Sequence, residues 1–302
     1  MQNEHFLRRF FKYLKERFNL IQFIPLSFIL AVFLSVGTQL FLFKSVSWGP
    51  ILFSTVALFL FLLRLRIFDE FKDYKHDIEY YPDRPISKGL LTLNELKLVL
   101  IPVIIVEVFV ALYLGMFVLI FFLVSFVYSL LMFKEFFVSD WLRKHFSLYI
   151  FTHEILVIPL FIYLCSINGF NFQSEHIVYF INLVVCTGSF MFLLEIARKV
   201  RSKEFEVASR DTYTAQYGVL GASSLLIVVS VVSKLTLIAN FYFLKGSYLI
   251  ITIISLLSFA YLLFDIFRFC KSKTHHTAKR VFGASIIFSV VNLVASIVLS
   301  LI

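Results

Sequence analysis

Residues 20–43 read LIQFIPLSFILAVFLSVGTQLFLF, an apolar run without a single acidic or basic side chain. A helix rises ~1.5 Å per residue, so a run of this length crosses a hydrocarbon layer of ~30 Å. A secretory leader also starts with basic residues, but its apolar stretch is shorter and ends at a small-residue cleavage site. The run is therefore expected to stay in the chain as its first spanning helix. Ahead of it, residues 1–19 carry Arg8, Arg9, Lys12, Lys15 and Arg17 and form a basic N-terminal segment. Behind it, runs of spanning length recur over 49–68, 97–114, 116–133, 148–166, 176–195, 217–239, 246–268 and 281–301. Gly115 alone divides the third span from the fourth, which predicts a tight hairpin. The expected fold class is all-α: a polytopic membrane protein of about nine helices in a single bundle, occupying 20–302.

Composition agrees. The 302 residues are 60% hydrophobic, include 39 Phe, and are only 16% charged. Soluble domains run at roughly 45–50% apolar and about 25% charged. The net charge of +9 does not mark a nucleic-acid binder, because the basic residues alternate with long apolar runs instead of forming one patch. Cys165, Cys186 and Cys270 are scattered without metal or redox spacing and read as apolar fillers.

Charge tests the division into spans. With the N-terminus in the cytoplasm, the cytoplasmic segments hold 5 Lys/Arg (1–19), 7 (64–97), 3 (134–144), 5 (198–210) and 5 (268–280). That is 25 of the 28, leaving Lys44, Lys234 and Lys245 outside. The positive-inside rule predicts this asymmetry. The C-terminus is then expected outside, in a cell (inner) membrane protein. The two most charged long loops, 64–97 and 195–216, follow the second and sixth spans, a hint of two similar halves plus one further helix.

The end of the second span, residues 64–77, reads RLRIFDEFKDYKHD. If the helix continues, Arg66, Asp69, Glu70, Asp73 and Asp77 fall within an arc of about 100°. Four carboxylates on one face repel one another unless a cation sits among them. Clustered carboxylate oxygens suit Mg²⁺, commonly held by one or two carboxylates plus the phosphates of a substrate. In an arbitrary loop, acids paired with Lys72 and Lys75 would be the plainer reading. Ionisable groups at the lipid boundary are costly and tend to be functional. Next comes Tyr81-Pro-Asp-Arg-Pro-Ile-Ser-Lys-Gly89, a defined turn expected to present Arg84 and Lys88 toward the acids. A guanidinium and an ammonium beside a metal match a diphosphate.

These residues resemble the UbiA superfamily of intramembrane prenyltransferases, whose first signature is N-D-x-x-D-x-x-x-D followed by R-P-x-x-x-G. Here Asp69-Glu70-Phe-Lys-Asp73-Tyr-Lys-His-Asp77 and Arg84-Pro-Ile-Ser-Lys-Gly89 take those places, with Asp69 for Asn and Glu70 for the first Asp. The family's nine-helix topology is also similar. The resemblance implies Mg²⁺ at Glu70, Asp73, Asp77, Glu195 and Asp211, with Asp69, Glu70, Asp73 and Asp77 as the catalytic set. It implies Arg66, Arg84, Lys88, Lys199 and Arg201 as the diphosphate-binding groups, an isoprenyl diphosphate donor, and a hydrophobic acceptor within the membrane.

One departure stands out. The family's second motif, commonly D-x-x-x-D, falls at Glu195-Ile-Ala-Arg-Lys199, where the second acid is a cation. Either Glu195 and Lys199 form an ordinary helix pair, or Lys199 meets diphosphate and Glu204, Glu206 or Asp211 completes the site. Glu107, within the third span, is a buried site group or an interhelical partner. His153 and Glu154 lack metal companions, Asp265 is expected to pair with Arg268, and His275 and His276 to be solvated. A secondary transporter would need charged or interrupted helices at mid-membrane. A CDP-alcohol phosphatidyltransferase would need an Asp-Gly pair, which does not occur. A catalytically altered family member acting as a binding protein is the remaining alternative.

Overall fold

The computed structural model describes residues 5–171, 176–206, 212–246 and 248–302. Among these, nine helices are long and apolar enough to cross a membrane, and the protein is an all-α polytopic membrane protein. The helices are α1 (Phe6–Arg17), α2 (Leu20–Phe43), α3 (Trp48–Lys72), α4 (Tyr74–Tyr80), α5 (Leu93–Leu114) and α6 (Met116–Phe133). Then follow α7 (Ser139–Lys144), α8 (Phe146–Glu154), α9 (Val157–Ile167), α10 (Ile177–Arg198), α11 (Tyr213–Phe243), α12 (Tyr248–Ser272) and α13 (His275–Leu301).

The chain divides into two compact units. In the first, α3 packs on α5, α5 on α6, α6 on α9, and α9 back on α3. In the second, α10 packs on α11, α11 on α12, α12 on α13, and α13 back on α10. Helix α2 gives its residues up to Ala31 to the first unit and those from Val32 to the second.

Several helices run past their apolar cores. Helix α3 continues through Asp69 and Glu70 to Lys72, and α13 begins at His275, because the backbone ladder does not stop where lipid does. The fifth span is broken between α8 and α9 around Ile155 and Leu156. Pro159 accounts for this: it lacks an N–H and its ring crowds the carbonyl of Ile155. Gly115 (φ 118°) joins α5 to α6 as the only residue between them, in a backbone region that disfavours a side chain.

Buried amides bind helices together where lipid offers no hydrophobic drive between them. Asn168 Nδ2 donates to Ser54 Oγ (2.9 Å) in the first unit. In the second unit Asn182 Nδ2 donates to Asn240 Oδ1 (2.7 Å), and Asn292 Nδ2 to Ser258 Oγ (2.9 Å). Gly169 follows α9 at φ 93°, and a Cβ there would lie 2.6 Å from the Phe43 ring. Gly169→Ala is therefore expected to cost about 2–3 kcal/mol from backbone strain and overpacking, read as a lowered melting temperature in detergent.

Candidate functional site

The acidic segment sits at the C-terminal end of α3, and its geometry is set by a slight break in the helix. Asp73 is the bend between α3 and α4, yet the i to i−4 bonds continue: Asp73 N–H to Asp69 O and Asp77 N–H to Asp73 O, both 2.8 Å. The expected shared face thus survives. Glu70 (2% exposed) and Asp77 (4%) are buried, and Asp69 and Asp73 are half-buried.

The cations among these acids include the protein's own. Arg66 Nη2 donates to Glu70 Oε1 (3.0 Å), and its Nη1 lies 3.7 Å from Asp69. Arg84 stacks over the Tyr81 ring at 3.7 Å and donates through Nη1 to Asp77 Oδ1. Lys72 lies 3.8 Å from Asp69 and donates to the Tyr149 hydroxyl at 3.3 Å. Arg17, from α1, donates through Nε to Glu70 Oε1 (2.7 Å) and reaches to 3.6 Å from Asp77. Asp73 has no ion-pair partner within 4.0 Å among the described residues. Burial, opposed by Lys72 and reinforced by Asp69 and Asp77, pushes its carboxyl above the ordinary range.

Arg17 and Tyr149 were not read as site residues from the sequence. The signal for Arg17 was present: it lies four residues after Tyr13 and seven after Phe10, on the apolar face of an amphipathic helix. That face packs Tyr13, Leu14 and the following Phe18 against Leu63, Ile67, Ile86, Leu91 and Leu96. Lys88, by contrast, is not turned onto the acids; it pairs with Glu16 at 3.2 Å.

Deeper in the same unit, Arg64 is fully buried, donating through Nε to Glu107 Oε2 and through Nη1 to Ser129 Oγ, each at 2.7 Å. Its guanidinium lies over the rings of Phe61 (4.4 Å), Phe126 (4.6 Å) and Phe68 (5.3 Å). Glu107 is thus an interhelical partner of Arg64, whose guanidinium joins α3, α5 and α6.

In the second unit, Glu195 accepts from Arg198 Nη2 (2.8 Å) and lies 3.0 Å from Lys199 Nζ, a local ion cluster at the end of α10. The Arg201 N–H donates to Thr214 Oγ1 (3.0 Å). Glu206 accepts from the Thr212 hydroxyl and from Thr214 (2.6 Å), and Thr212 caps α11. Asp211 lies outside the described residues, and Glu204 is exposed in a short 3₁₀ turn. Asp265 pairs with Arg280 of α13 (2.9 Å) rather than with Arg268, because packing of α12 on α13 brings a better partner across. His275 is stacked on Phe205 at 3.8 Å instead of standing free in solvent.

Among the described residues no three His, Cys, Asp or Glu side chains converge closely enough to hold a metal ion alone. The donor set still fits Mg²⁺ in its phosphate-assisted mode, since Asp69 and the unpaired Asp73 offer two hard carboxylates and substrate phosphates supply the rest. Glu70 and Asp77, which the resemblance implies as ligands, are engaged by arginines.

No protein-family profile and no curated protein matches the chain in sequence. Solved structures do match. A UbiA homologue from Aeropyrum pernix K1 superposes with a TM-score of 0.66 at 13% identity, over 92% of this chain and 99% of that one. The chain has the UbiA fold. A structure concerned with digeranylgeranylglyceryl phosphate synthase in membranes shares this fold (TM-score 0.64, 17% identity, 97% and 99% covered). A UbiA homologue from Archaeoglobus fulgidus bound to GPP and Mg²⁺ also shares it (0.56, 14%, 95% and 99%). Residues 69–77 span the end of α3 and the start of α4, and 195–206 the end of α10 and the turn after it.

Proposed function

We propose that this protein transfers an isoprenyl group from an isoprenyl diphosphate to a hydrophobic acceptor within the membrane. The observation that carries the reading is the α3–α4 cluster, where four carboxylates on one helix face meet the cations Arg17, Arg66, Lys72 and Arg84. The UbiA fold, shared with a homologue bound to GPP and Mg²⁺, supports it. In the proposed orientation the N-terminus and this cluster face the cytoplasm.

The reaction breaks the bond between the allylic carbon and the diphosphate oxygen, and a nucleophilic atom of the acceptor then bonds to that carbon. Mg²⁺, when bound, supplies positive charge against the departing phosphate oxygens. Asp73, which has no ion-pair partner among the described residues, and Asp69, held only by the long pairs to Arg66 (3.7 Å) and Lys72 (3.8 Å), are the carboxylates that would hold it. Arg66 and Arg84 carry donors pre-aimed into the cluster, so they meet the leaving group without reorganisation. Glu70 and Asp77 hold those arginines in place. Phe and Tyr side chains of the spans are available to shelter an allylic cation by their ring faces.

Glu195 and Asp211 enter the proposal as Mg²⁺ ligands, and Lys199 and Arg201 as diphosphate-binding groups. The Glu195–Lys199 pair also supports a plainer reading, a helix-end ion pair contributing a few tenths of a kcal/mol. Lys199→Asp separates the two, since it restores an acid at the fourth position after Glu195. Weaker donor binding and a changed Mg²⁺ requirement in a titration are the outcomes the functional role demands; identical curves leave Lys199 as half of a local pair. The alternative of a binding protein without turnover rests on Lys199 standing where the second motif has an acid, and the arginine pairing of Glu70 and Asp77 adds to it. Product formation from a labelled donor removes it.

A further inference from the structure

Helix α1 has one edge that is exposed along the described residues of its unit. Its inner face buries Tyr13 and Leu14 and carries Arg17 to Glu70 and Asp77. Its outer edge exposes Leu7 (55%) and Phe11 (61%), and directly beside them the exposed Arg8, Lys12 and Lys15. At 100° per residue, Leu7 and Phe11 lie about 40° apart, and the three basic residues fill the next arc of about 60°. Apolar side chains flanked by basic ones along one edge are the pattern of a helix lying in the headgroup layer, with long basic stems reaching to phosphates.

The position of α1 in the chain selects the occupant. Only Phe18 and Asn19 separate Arg17 from Leu20, the first residue of a spanning helix, so α1 is held at the level where that helix leaves the lipid. It is anchored there by Arg9, which donates to Leu90 O (3.0 Å) and to Glu95, and by Glu16 through Lys88. A leaflet rich in anionic lipid complements three exposed cations on one arc.

We propose that α1 is a membrane-surface strap: Arg8, Lys12 and Lys15 bind anionic phospholipid headgroups while Leu7 and Phe11 enter the interface. Through Arg17, this lipid contact steadies the acidic segment of α3 and α4. The proposal stands apart from the transfer reaction, and its test does not use activity.

The test is hydrogen–deuterium exchange on the full chain in nanodiscs of phosphatidylcholine alone or mixed with phosphatidylglycerol. With anionic lipid, amides 6–17 are expected to exchange about tenfold more slowly, an effect lost at high salt. The Arg8→Glu, Lys12→Glu, Lys15→Glu variant should lose the response while exchange in α13, the control for folding, stays unchanged. Residues 74–80 should slow together with α1 in the parent protein, and Arg17→Gln should abolish only this second response. Equal exchange of α1 in both lipids, or an unaltered response in the charge-reversed variant, overturns the proposal. A response of 74–80 that survives Arg17→Gln overturns the role given to Arg17.

Discussion

Asp73→Asn is expected to lower isoprenyl transfer about a hundredfold or more while leaving the protein as stable as before, or slightly more so. The catalytic loss follows from charge. Asparagine keeps the shape and one oxygen, but removes the only carboxylate of the cluster that has no ion-pair partner among the described residues. Losing one preorganised charge at a reacting centre typically costs about 10²–10³ in rate. The stability result follows from sign. Burial together with Asp69 and Asp77 holds the Asp73 carboxyl above its ordinary range, so its charged form is disfavoured in the folded state. Neutralising it relieves that penalty at neutral pH. Glu70→Gln should behave in the opposite way, because Arg17 and Arg66 both lose a charged partner and the melting temperature falls. Measuring turnover and melting on both variants checks the assignment: similar melting losses would show that Asp73 is only another structural acid.

The largest effect on stability is expected at Arg64. Arg64→Leu leaves Glu107 buried beside apolar rings, and removing one member of a buried pair costs about 3–5 kcal/mol. Glu107→Leu should be comparably damaging, since among the described residues the guanidinium then keeps only Ser129 and three aromatic faces. The double variant Arg64→Leu/Glu107→Leu is expected to recover most of the loss, because a buried ion pair is often no more stable than a well-packed apolar pair. Denaturant unfolding in detergent reads this cycle. Single variants within about 1 kcal/mol of the parent would mean that water reaches the pair and that its burial carries little weight.

The spans were legible because twenty apolar residues in a row have few other uses. The alternation of basic loops gave them a consistent register. Their ends were less legible, since α3 and α13 continue as helix through polar residues that hydropathy assigns to loops. Helix α1 was hidden for the opposite reason: its basic residues drew attention to topology, while Phe6, Phe10, Tyr13 and Leu14 mark the face that brings Arg17 to the acids. Within the candidate site, the shared face of Asp69, Glu70, Asp73 and Asp77 followed from helical spacing alone. Pairing across helices did not, because nothing in the local sequence says that Arg64 meets Glu107, that Asp265 meets Arg280, or that Lys88 turns to Glu16. Such partners are set by which helices pack side by side.

The central claim is that the cluster on α3 and α4 handles an isoprenyl diphosphate with Mg²⁺. The direct measurement is incubation of the protein in membranes with radiolabelled isoprenyl diphosphates of several chain lengths, with and without Mg²⁺, followed by identification of the labelled products. Saturable donor binding and Mg²⁺-dependent movement of label into a lipid-soluble product, both weakened in Asp73→Asn, are the predicted results. Absence of donor binding at every chain length, in the presence of Mg²⁺, would contradict the account.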